Sequence, residues 1–371
     1  MTSDPTRLFL ELAAMPSPPG EERVVADRVI AELETMGLAW DEDDAGAAVG
    51  STMGNILCRV PGRSGEGTPI FLCAHLDTVP PDGSIEPVIE DGFVRNAGGT
   101  ILGADDKAAV VVMLEAVRRV VFEGRSHAGI ELLFTPKEEV GLLGAYAFDH
   151  TRLEARFGYV YDQAAAIGEI ILGAPSQNSI RARFHGRAAH AGMYPEDGRS
   201  AIFAAARAIA GMRLGRVDHQ SSANVGVISG GTARNIIPEW CSFEAEARSR
   251  DPETLAILVQ EMLDAIGVAA STSDCTAETE IDETYRAYSF REDDPAVRLA
   301  ADGLRRAGYE PVMAFSGGGA DANVFNERGL PCVNLGNGMI DIHTSDERIA
   351  VADLEGMVEV TLSILEVARE T

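Results

Sequence analysis

The chain has few basic residues, with 31 Lys and Arg against 58 Asp and Glu and a formal net charge of -27. Nucleic acids and anionic membranes bind basic surfaces, so this balance argues against both as partners. The first residues lack the basic and apolar regions of a signal peptide, and no apolar run is expected to be long enough to cross a bilayer. We therefore expect a cytoplasmic protein that binds neither nucleic acid nor membrane.

Cysteine is scarce, and the nucleotide-binding glycine motifs are missing. The five cysteines are odd in number and form no CxxC pair, which argues against a disulfide framework and against a thiolate zinc site. The glycine runs at 229–232 and 316–319 lack the spacing of a Walker A or dinucleotide fingerprint. We expect them to form tight turns, or to line a site with backbone amides that bind a carboxylate or carbonyl oxygen.

The chain does contain apolar strand-like runs that alternate with helices. Its 371 residues suggest about two domains. Strands are expected at 70–74, 130–134, 159–161 and 330–335, and helices at 5–14, 21–36 and 107–121. This alternation indicates an α/β fold, a mostly parallel sheet with helices on both faces.

A different pattern in the middle of the chain indicates an insertion. Alternating runs such as 179–185 and 243–248 flank helix-like segments at 200–212 and 252–266. We interpret this part as an inserted α+β domain. The expected domains are 1–173 and 287–371, which together form the first domain, and 174–286, which forms the inserted one.

Polar side chains follow the predicted parallel strands, at the edge where open α/β sheets bind their ligands. Within one strand end, alternate residues share a face, so His75 and Asp77 point to the same side. A carboxylate beside an imidazole can fix the orientation of a metal-binding histidine. The strand-end and loop candidates are His75, Asp77, Glu138, Glu139, Asp162 and His343.

Two histidines and three carboxylates make up a candidate ligand set: His75, His343, Asp105, Glu139 and Asp162. Zn²⁺, Mn²⁺ and Co²⁺ accept such mixed ligands, whereas Ca²⁺ would use oxygen alone. Five ligands are too many for one open catalytic zinc, but they suit two ions with a bridging carboxylate. Such ions, about 3.5–4 Å apart, can hold a hydroxide and polarise a carbonyl.

Two acidic doublets have competing interpretations. In Glu138-Glu139 one side chain can bind metal while the other acts as general base, but both could instead stabilise a helix dipole. Asp105-Asp106 precedes an apolar helix and could be its N-cap, which is compatible with metal binding. Local sequence alone does not choose between these interpretations.

Several motifs extend this set in a fixed order along the chain. They are Ala-His-Leu-Asp-Thr-Val at 74–79, Gly-Ala-Asp-Asp-Lys-Ala at 103–108, Phe-Thr-Pro-Lys-Glu-Glu-Val-Gly at 134–141, Gly-Arg-Ala-Ala-His-Ala-Gly at 186–192, Gly-Gly-Thr-Ala-Arg-Asn-Ile-Ile-Pro at 230–238 and Ile-His-Thr at 342–344. With them the chain resembles the peptidase T branch of the di-zinc metallopeptidase superfamily, which includes carboxypeptidase G, aminoacylase, acetylornithine deacetylase and succinyl-diaminopimelate desuccinylase.

The resemblance implies a role for each matching residue. His75 and Asp162 would bind one ion, Glu139 and His343 the other, and Asp105 would bridge them. Asp77 would orient His75, and Glu138 would be the general base that activates the bridging water. The bond between Asp105 and Asp106 would be cis. His190 would stabilise the oxyanion, and Asn235 and Gly318 would help to bind substrate.

One departure concerns specificity. Peptidase T has an arginine before its Gly-Gly-Thr-Asp loop, and this arginine is a natural partner for a peptide carboxylate. This chain has Ser316-Gly317 at that place. The resemblance therefore does not carry strict tripeptide specificity over to this chain.

The resemblance implies a metallopeptidase with two divalent ions, Zn²⁺ being favoured and Mn²⁺ or Co²⁺ being the alternatives. We expect an aminopeptidase that acts on small peptides, with residues 174–286 as a lid or dimerisation domain that permits a homodimer. An N-acyl-amino-acid deacylase or a carboxypeptidase would have the same metal centre. A metal-binding scaffold without catalysis would be favoured by loss of Glu138 or a ligand, and none is missing.

Overall fold

The structure, a computed structural model, describes residues 4–63 and 67–371. The chain forms two compact units. The first unit comprises the described residues up to Gly173 together with Ser289–Ser316 and Ala320–Thr371, and the second unit comprises Ala174–Tyr288 and Gly317–Gly319. The chain thus leaves the first unit after Gly173 and returns to it at Ser289, close to the expected domain borders at 173 and 287.

Helices and strands alternate through both units. The α-helices are α1 Pro5–Ala13, α2 Arg23–Thr35, α3 Ala45–Val49, α4 Ala104–Glu123, α5 Leu143–Ala147, α6 Ala201–Gly211, α7 Pro252–Thr272, α8 Pro295–Arg306, α9 Asp321–Glu327 and α10 Val351–Glu370. The strands are β1 Trp40–Glu42, β2 Ile56–Val60, β3 Ile70–His75, β4 Pro87–Glu90, β5 Phe93–Asn96, β6 Ile130–Thr135, β7 Phe157–Gln163, β8 Glu169–Ala174, β9 Ser176–His185, β10 Gly215–Arg216, β11 Ser221–Gly230, β12 Trp240–Ser249, β13 Thr276–Tyr285, β14 Tyr288–Ser289, β15 Val312–Phe315, β16 Cys332–Gly336, β17 Met339–Ile340 and β18 Arg348–Ala350.

The main sheet of the first unit has nine strands among the described residues, in the order β1-β2-β6-β3-β7-β16-β8-β14, with β15 beside β8. The central strands β6, β3, β7 and β16 run parallel. Strands β1 and β2, and the pair formed by β16 and β8, are antiparallel. The mixed α/β fold confirms the predicted class. The parallel centre brings the carboxyl ends of four strands to one edge.

Helical cover on both faces explains why the central strands are apolar throughout. Every residue of β3 and β6 is buried. The helix α4 contributes a nearly continuous buried surface that extends from Ala104 to Val117. Strands buried on both faces have unbroken hydrophobic sequences rather than alternating ones. A smaller antiparallel sheet, β17-β18-β5-β4, also forms in the first unit and was not predicted.

The second unit is an antiparallel sheet covered by two helices. Its strand order is β10-β11-β12-β9-β13. Burial alternates along β12, because one face of the sheet packs on α6 and α7 and the other does not. Phe184, Phe243 and Met262 lie in the core between the sheet and these helices. Alternating sequences of this kind are typical of a one-sided antiparallel sheet.

The helix α7 corrects one expectation. Over its 21 residues it is long and apolar enough to cross a membrane by length and composition, whereas no such run was expected from the sequence. Seven of its residues, Leu255, Leu258, Val259, Met262, Ile266, Ala269 and Ala270, are buried, and the helix packs on the strands of its own unit. The core helix of a globular unit meets the same criteria.

Candidate metal centre

The first unit brings six candidate side chains to the carboxyl edge of its sheet. His75 is the last residue of β3, Asp162 lies near the end of β7, and Glu138 and Glu139 follow β6. Asp105 lies at the irregular start of α4, where Asp105 and Asp106 have non-helical backbone angles. His343 lies in the loop between β17 and β18.

The Asp105 carboxylate lies between two imidazoles. Its Oδ1 is 3.3 Å from Nε2 of His75, and its Oδ2 is 3.2 Å from Nε2 of His343. The same His343 nitrogen is 3.0 Å from Oε1 of Glu139. Asp105 therefore occupies the position that a carboxylate shared between two ions would need.

A second set of ligand atoms also includes His75. Ligand atoms of His75, Glu138 and Asp162 lie within 4.8 Å of one another, as do those of His75, Asp105 and Glu139. Oε2 of Glu138 is 4.0 Å from Nε2 of His75. The two groups share His75 and diverge at the glutamate doublet, so Glu138 and Glu139 face different parts of the cluster.

Asp77 contacts the site differently from the sequence expectation. Nδ1 of His75 is 2.9 Å from the backbone carbonyl of Asp77 and 3.6 Å from its carboxylate Oδ1. The carboxylate instead accepts the backbone N–H groups of Glu138 at 2.9 Å and Glu139 at 3.1 Å. A hydrogen bond to the carbonyl places the ring hydrogen on Nδ1 and leaves the Nε2 lone pair facing the carboxylates. One residue thus orients the imidazole through its backbone and the glutamates through its side chain.

Unusual backbone conformations occur beside the candidate ligands. The peptide bond from Asp105 to Asp106 is cis, as the resemblance implied. Lys137, directly before the glutamate doublet, has φ of 57°, and His343 itself has φ of 62°. Non-glycine residues rarely adopt this left-handed region, and such conformations concentrate at functional sites.

The charges of the cluster are unbalanced in favour of acid. Burial would lower the pKa of His75, but the nearby carboxylates of Asp105, Asp77 and Glu138 raise that pKa well above its ordinary value. Hydrogen bonds to Asp105 and Glu139 raise the pKa of His343 to about 10. Burial, together with the negative charges of Asp105 and Glu138, raises the pKa of Asp162 well above its ordinary value. The cluster therefore favours added positive charge.

The donor set fits divalent metal ions. Oδ1 of Asp105 is buried and accepts no hydrogen bond from the described residues, although Nε2 of His75 lies 3.3 Å away. A buried polar atom without a partner is costly unless something else satisfies it. Imidazole and carboxylate ligands of this kind suit Zn²⁺, Mn²⁺ or Co²⁺, and the negative field described above favours a dication over a neutral ligand.

Two buried side chains of this region were missed by sequence reasoning. The Asn334 amide accepts the N–H of Asp162 at 3.0 Å and donates to its carbonyl at 3.1 Å. A polar residue within the apolar run 330–335 was a signal for such a role. The Glu347 carboxylate accepts four backbone N–H groups from Leu102 to Asp105. Nothing in its local sequence indicated this.

The other predicted site residues lie in the second unit. Nδ1 of His190 accepts the N–H groups of Gly192 at 3.2 Å and Met193 at 3.1 Å. The neighbouring Ala191 donates its N–H to the carbonyl of Asn235 at 3.0 Å, so the two loops that carry His190 and Asn235 are paired. Gly318 is also part of the second unit.

Known proteins with related sequences and structures carry peptidase names. Aminopeptidase PepT from Bacillus cereus ATCC 10987 is 37% identical, with 98% of each chain covered and a TM-score of 0.84. A tripeptidase from Staphylococcus aureus subsp. aureus Mu50 is 34% identical, with 99% of this chain and 98% of that chain covered and a TM-score of 0.90. Peptidase T from Serratia proteamaculans (strain 568) is 29% identical, with 75% of this chain and 68% of that protein covered.

These similarities confirm the resemblance to peptidase T. Residues 71–367 also match Peptidase family M20/M25/M40, a range that includes all six side chains of the candidate metal centre. The matched range is most of the chain, and relatives above 30% identity cover nearly all of it. The chain therefore belongs to Peptidase family M20/M25/M40 and is a peptidase T-like metallopeptidase.

Proposed function

We propose that this chain is an aminopeptidase that releases the N-terminal residue of small peptides at a centre of two divalent metal ions. The observation that carries the proposal is the Asp105 carboxylate, whose two oxygens lie 3.3 Å from His75 and 3.2 Å from His343. The names of the related aminopeptidase and tripeptidase support peptides as the substrate class.

In the proposed site, His75 and Asp162 would hold one ion and Glu139 and His343 would hold the other, with Asp105 contributing to both. Zn²⁺ is the favoured ion, with Mn²⁺ and Co²⁺ as alternatives. When bound, the ions would polarise the scissile carbonyl and lower the pKa of water. Asp77 fixes the ring of His75 and the backbone of both glutamates, so it sets the geometry in which the ligands converge.

Glu138 is the proposed general base. Burial raises the pKa of its carboxyl well above the ordinary value, against the opposing charge of His75 and with the help of the Glu139 carboxylate. A base with a raised pKa retains the proton that it takes from water and can deliver it to the leaving amine. The hydrogen bonds that the backbone N–H groups of Glu138 and Glu139 donate to the Asp77 carboxylate hold the glutamate doublet in place.

His190 is the proposed donor to the oxyanion. Because its Nδ1 accepts two backbone N–H groups, the ring hydrogen of the neutral imidazole is on Nε2. A fixed N–H donor can stabilise the negative charge that develops on the carbonyl oxygen during amide hydrolysis. The pairing of its loop with that of Asn235 supports a shared substrate-binding surface, to which Gly318 would add a backbone contact.

The substrate class can be tested with chelator-treated protein. We expect the protein to lose activity on free tripeptides and dipeptides and to regain it when Zn²⁺, Mn²⁺ or Co²⁺ is added, because ligand side chains alone do not activate water. Amino acid analysis of the products should show release of the N-terminal residue. N-acetyl amino acids serve as the comparison substrates. Cleavage confined to them would identify a deacylase, and metal binding without any turnover would identify a scaffold.

We further propose that the second unit forms a homodimer through β11. Among the described residues β10 pairs only with Ser222 and Ala223, and no strand pairs with the outer edge of β11 beyond them. This edge carries no charged residue and exposes Val227 and Ile228. The opposite edge, β13, carries Glu278, Glu280 and Asp282, and charged edges resist strand pairing.

Sedimentation velocity over a range of concentrations tests the dimer. We expect Ile228→Lys to shift the protein towards monomer, since it places a charge on the uncharged edge. Ile281→Lys on the already charged β13 is the matched control and should leave association unchanged. A wild-type protein that stays monomeric at every concentration would refute the proposed interface.

We also propose that the protein acts in the cytoplasm. All five cysteines are free thiols, as is usual in reducing compartments. Fractionation of the source cells checks this location, and recovery of the protein outside the cytoplasmic fraction would contradict it.

A further inference from the structure

Glu347 makes an unusual set of contacts deep in the first unit. Its Oε2 accepts the backbone N–H of Leu102 at 2.7 Å and of Gly103 at 2.8 Å. Its Oε1 accepts the N–H of Ala104 at 2.8 Å and of Asp105 at 3.1 Å. The side chain is buried, with only 2% of the residue exposed. One carboxylate therefore satisfies four consecutive amides.

Those four amides need an external partner. Leu102 and Gly103 precede α4, and Ala104 and Asp105 belong to its irregular start, so these N–H groups have no acceptor within the helix. A charged carboxylate forms stronger hydrogen bonds to such amides than a neutral acceptor does. The last of the four amides belongs to Asp105, the carboxylate that lies between His75 and His343.

Glu347 also belongs to the loop that presents His343. It follows His343 by four residues, and its own N–H donates to the carbonyl of Thr344 at 3.3 Å. The loop and the start of α4 are far apart in the sequence, since Asp105 and Glu347 are separated by 242 positions. The carboxylate thus joins two chain segments, each of which carries a proposed ligand.

We propose that Glu347 is a positioning residue that fixes the backbone of Asp105 relative to His343, so that the shared carboxylate and the imidazole meet the metal ions in one geometry. This inference rests on the proposed metal centre and assigns a positioning role to a residue that is not one of its ligands. Glu347 touches no reacting atom. It acts by holding the segment from Leu102 to Asp105 in place before metal binds. The segment then loses less conformational entropy when metal binds.

The test compares two buried glutamates in the full-length protein. Glu347→Gln replaces one carboxylate oxygen with an NH₂ group, which cannot accept two of the four N–H groups. We expect the apparent Zn²⁺ affinity, measured by competition with a chromophoric chelator, to fall by about 10–100-fold, the range typical of residues that orient ligands. Glu347→Asp keeps both oxygens on a shorter side chain and should give an intermediate affinity.

Glu131 supplies the matched control. It is also buried, and its Oε2 accepts the backbone N–H groups of Glu154 and Ala155, both at 2.9 Å. It lies near the amino end of β6, away from the metal centre. We expect Glu131→Gln to lower the unfolding midpoint of the chelated protein while retaining the wild-type Zn²⁺ affinity. An equal loss of affinity in both variants would show a general structural effect and overturn the proposal.

Hydrogen exchange of the chelated protein provides a test that needs no metal. We expect the amides from Leu102 to Asp105 to be protected, and to exchange faster in Glu347→Gln. Exchange as fast as in an unstructured peptide, or wild-type Zn²⁺ affinity in Glu347→Gln, would overturn the proposal. If the wild-type protein bound no Zn²⁺, the proposed metal centre would fail separately, since the exchange result does not depend on metal.

Discussion

The Glu138→Gln variant is expected to lose peptide hydrolysis by about 10²–10⁴-fold in kcat, the usual contribution of a general base, while still binding both ions. The amide has nearly the shape of the carboxylate but takes up no proton from water. The backbone N–H of Glu138 would still donate to Asp77, so the loop should keep its place. Initial rates with saturating metal, together with metal content by mass spectrometry, would measure both effects.

The adjacent Glu139→Gln variant is the matched control for this result. Oε1 of Glu139 is 3.0 Å from His343, and Oε2 of Glu138 is 4.0 Å from His75, so the two side chains have different partners. We expect Glu139→Gln to weaken metal binding and to recover part of its activity at high metal concentration. Near wild-type kcat in Glu138→Gln would refute the assignment of the base, and metal loss from that variant would assign Glu138 to the ligands.

Asp105→Ala is expected to cause the largest loss of metal. The substitution removes both oxygens that lie between His75 and His343, so each proposed ion loses a ligand at once. We expect the Zn²⁺ affinity to fall by more than about 100-fold, because even residues that only orient ligands contribute 10–100-fold. Isothermal titration of the chelated protein with Zn²⁺ would give both affinity and stoichiometry.

Asp149→Ala serves as the control for Asp105→Ala. Asp149 caps a short helical turn through the N–H of Thr151, and its carboxylate is exposed. Its removal takes away one negative charge without touching the candidate ligands, and two ions should still bind. If Asp105→Ala also bound two ions with wild-type affinity, the shared-carboxylate assignment would be wrong.

The sequence predicts the parallel centre of the first unit because burial on both faces leaves a direct mark in composition. The run before His75 is apolar without alternation, and the structure buries every residue of β3. Short antiparallel strands such as β4 and β18 were not predicted. They contain only four and three residues, too few to establish a period.

The residues of the candidate site likewise include some that the sequence could reveal and some that it could not. Side chains at strand ends, such as His75 and Asp162, could be found because the end of an apolar run marks their position. The carboxylate contacts of Asp77 and Glu347 could not be found, because both bind backbone N–H groups contributed by remote segments. Backbone amides are the same at every residue, so such contacts leave no pattern in side-chain identity.

The division of the first unit by the second has a consequence for how the enzyme is made. The ribosome has already synthesised the proposed ligands His75, Asp105 and Glu139 when it begins the second unit. His343 and Glu347 are synthesised only after β13. The edge of β7 that does not pair with β3 must stay available until β16 is made and can pair with it. Closing so long a loop is slow. If the proposed ligands are correct, we expect peptide hydrolysis to begin only after nearly the whole chain has been translated, so that the unfinished enzyme would be inactive towards the peptides around it.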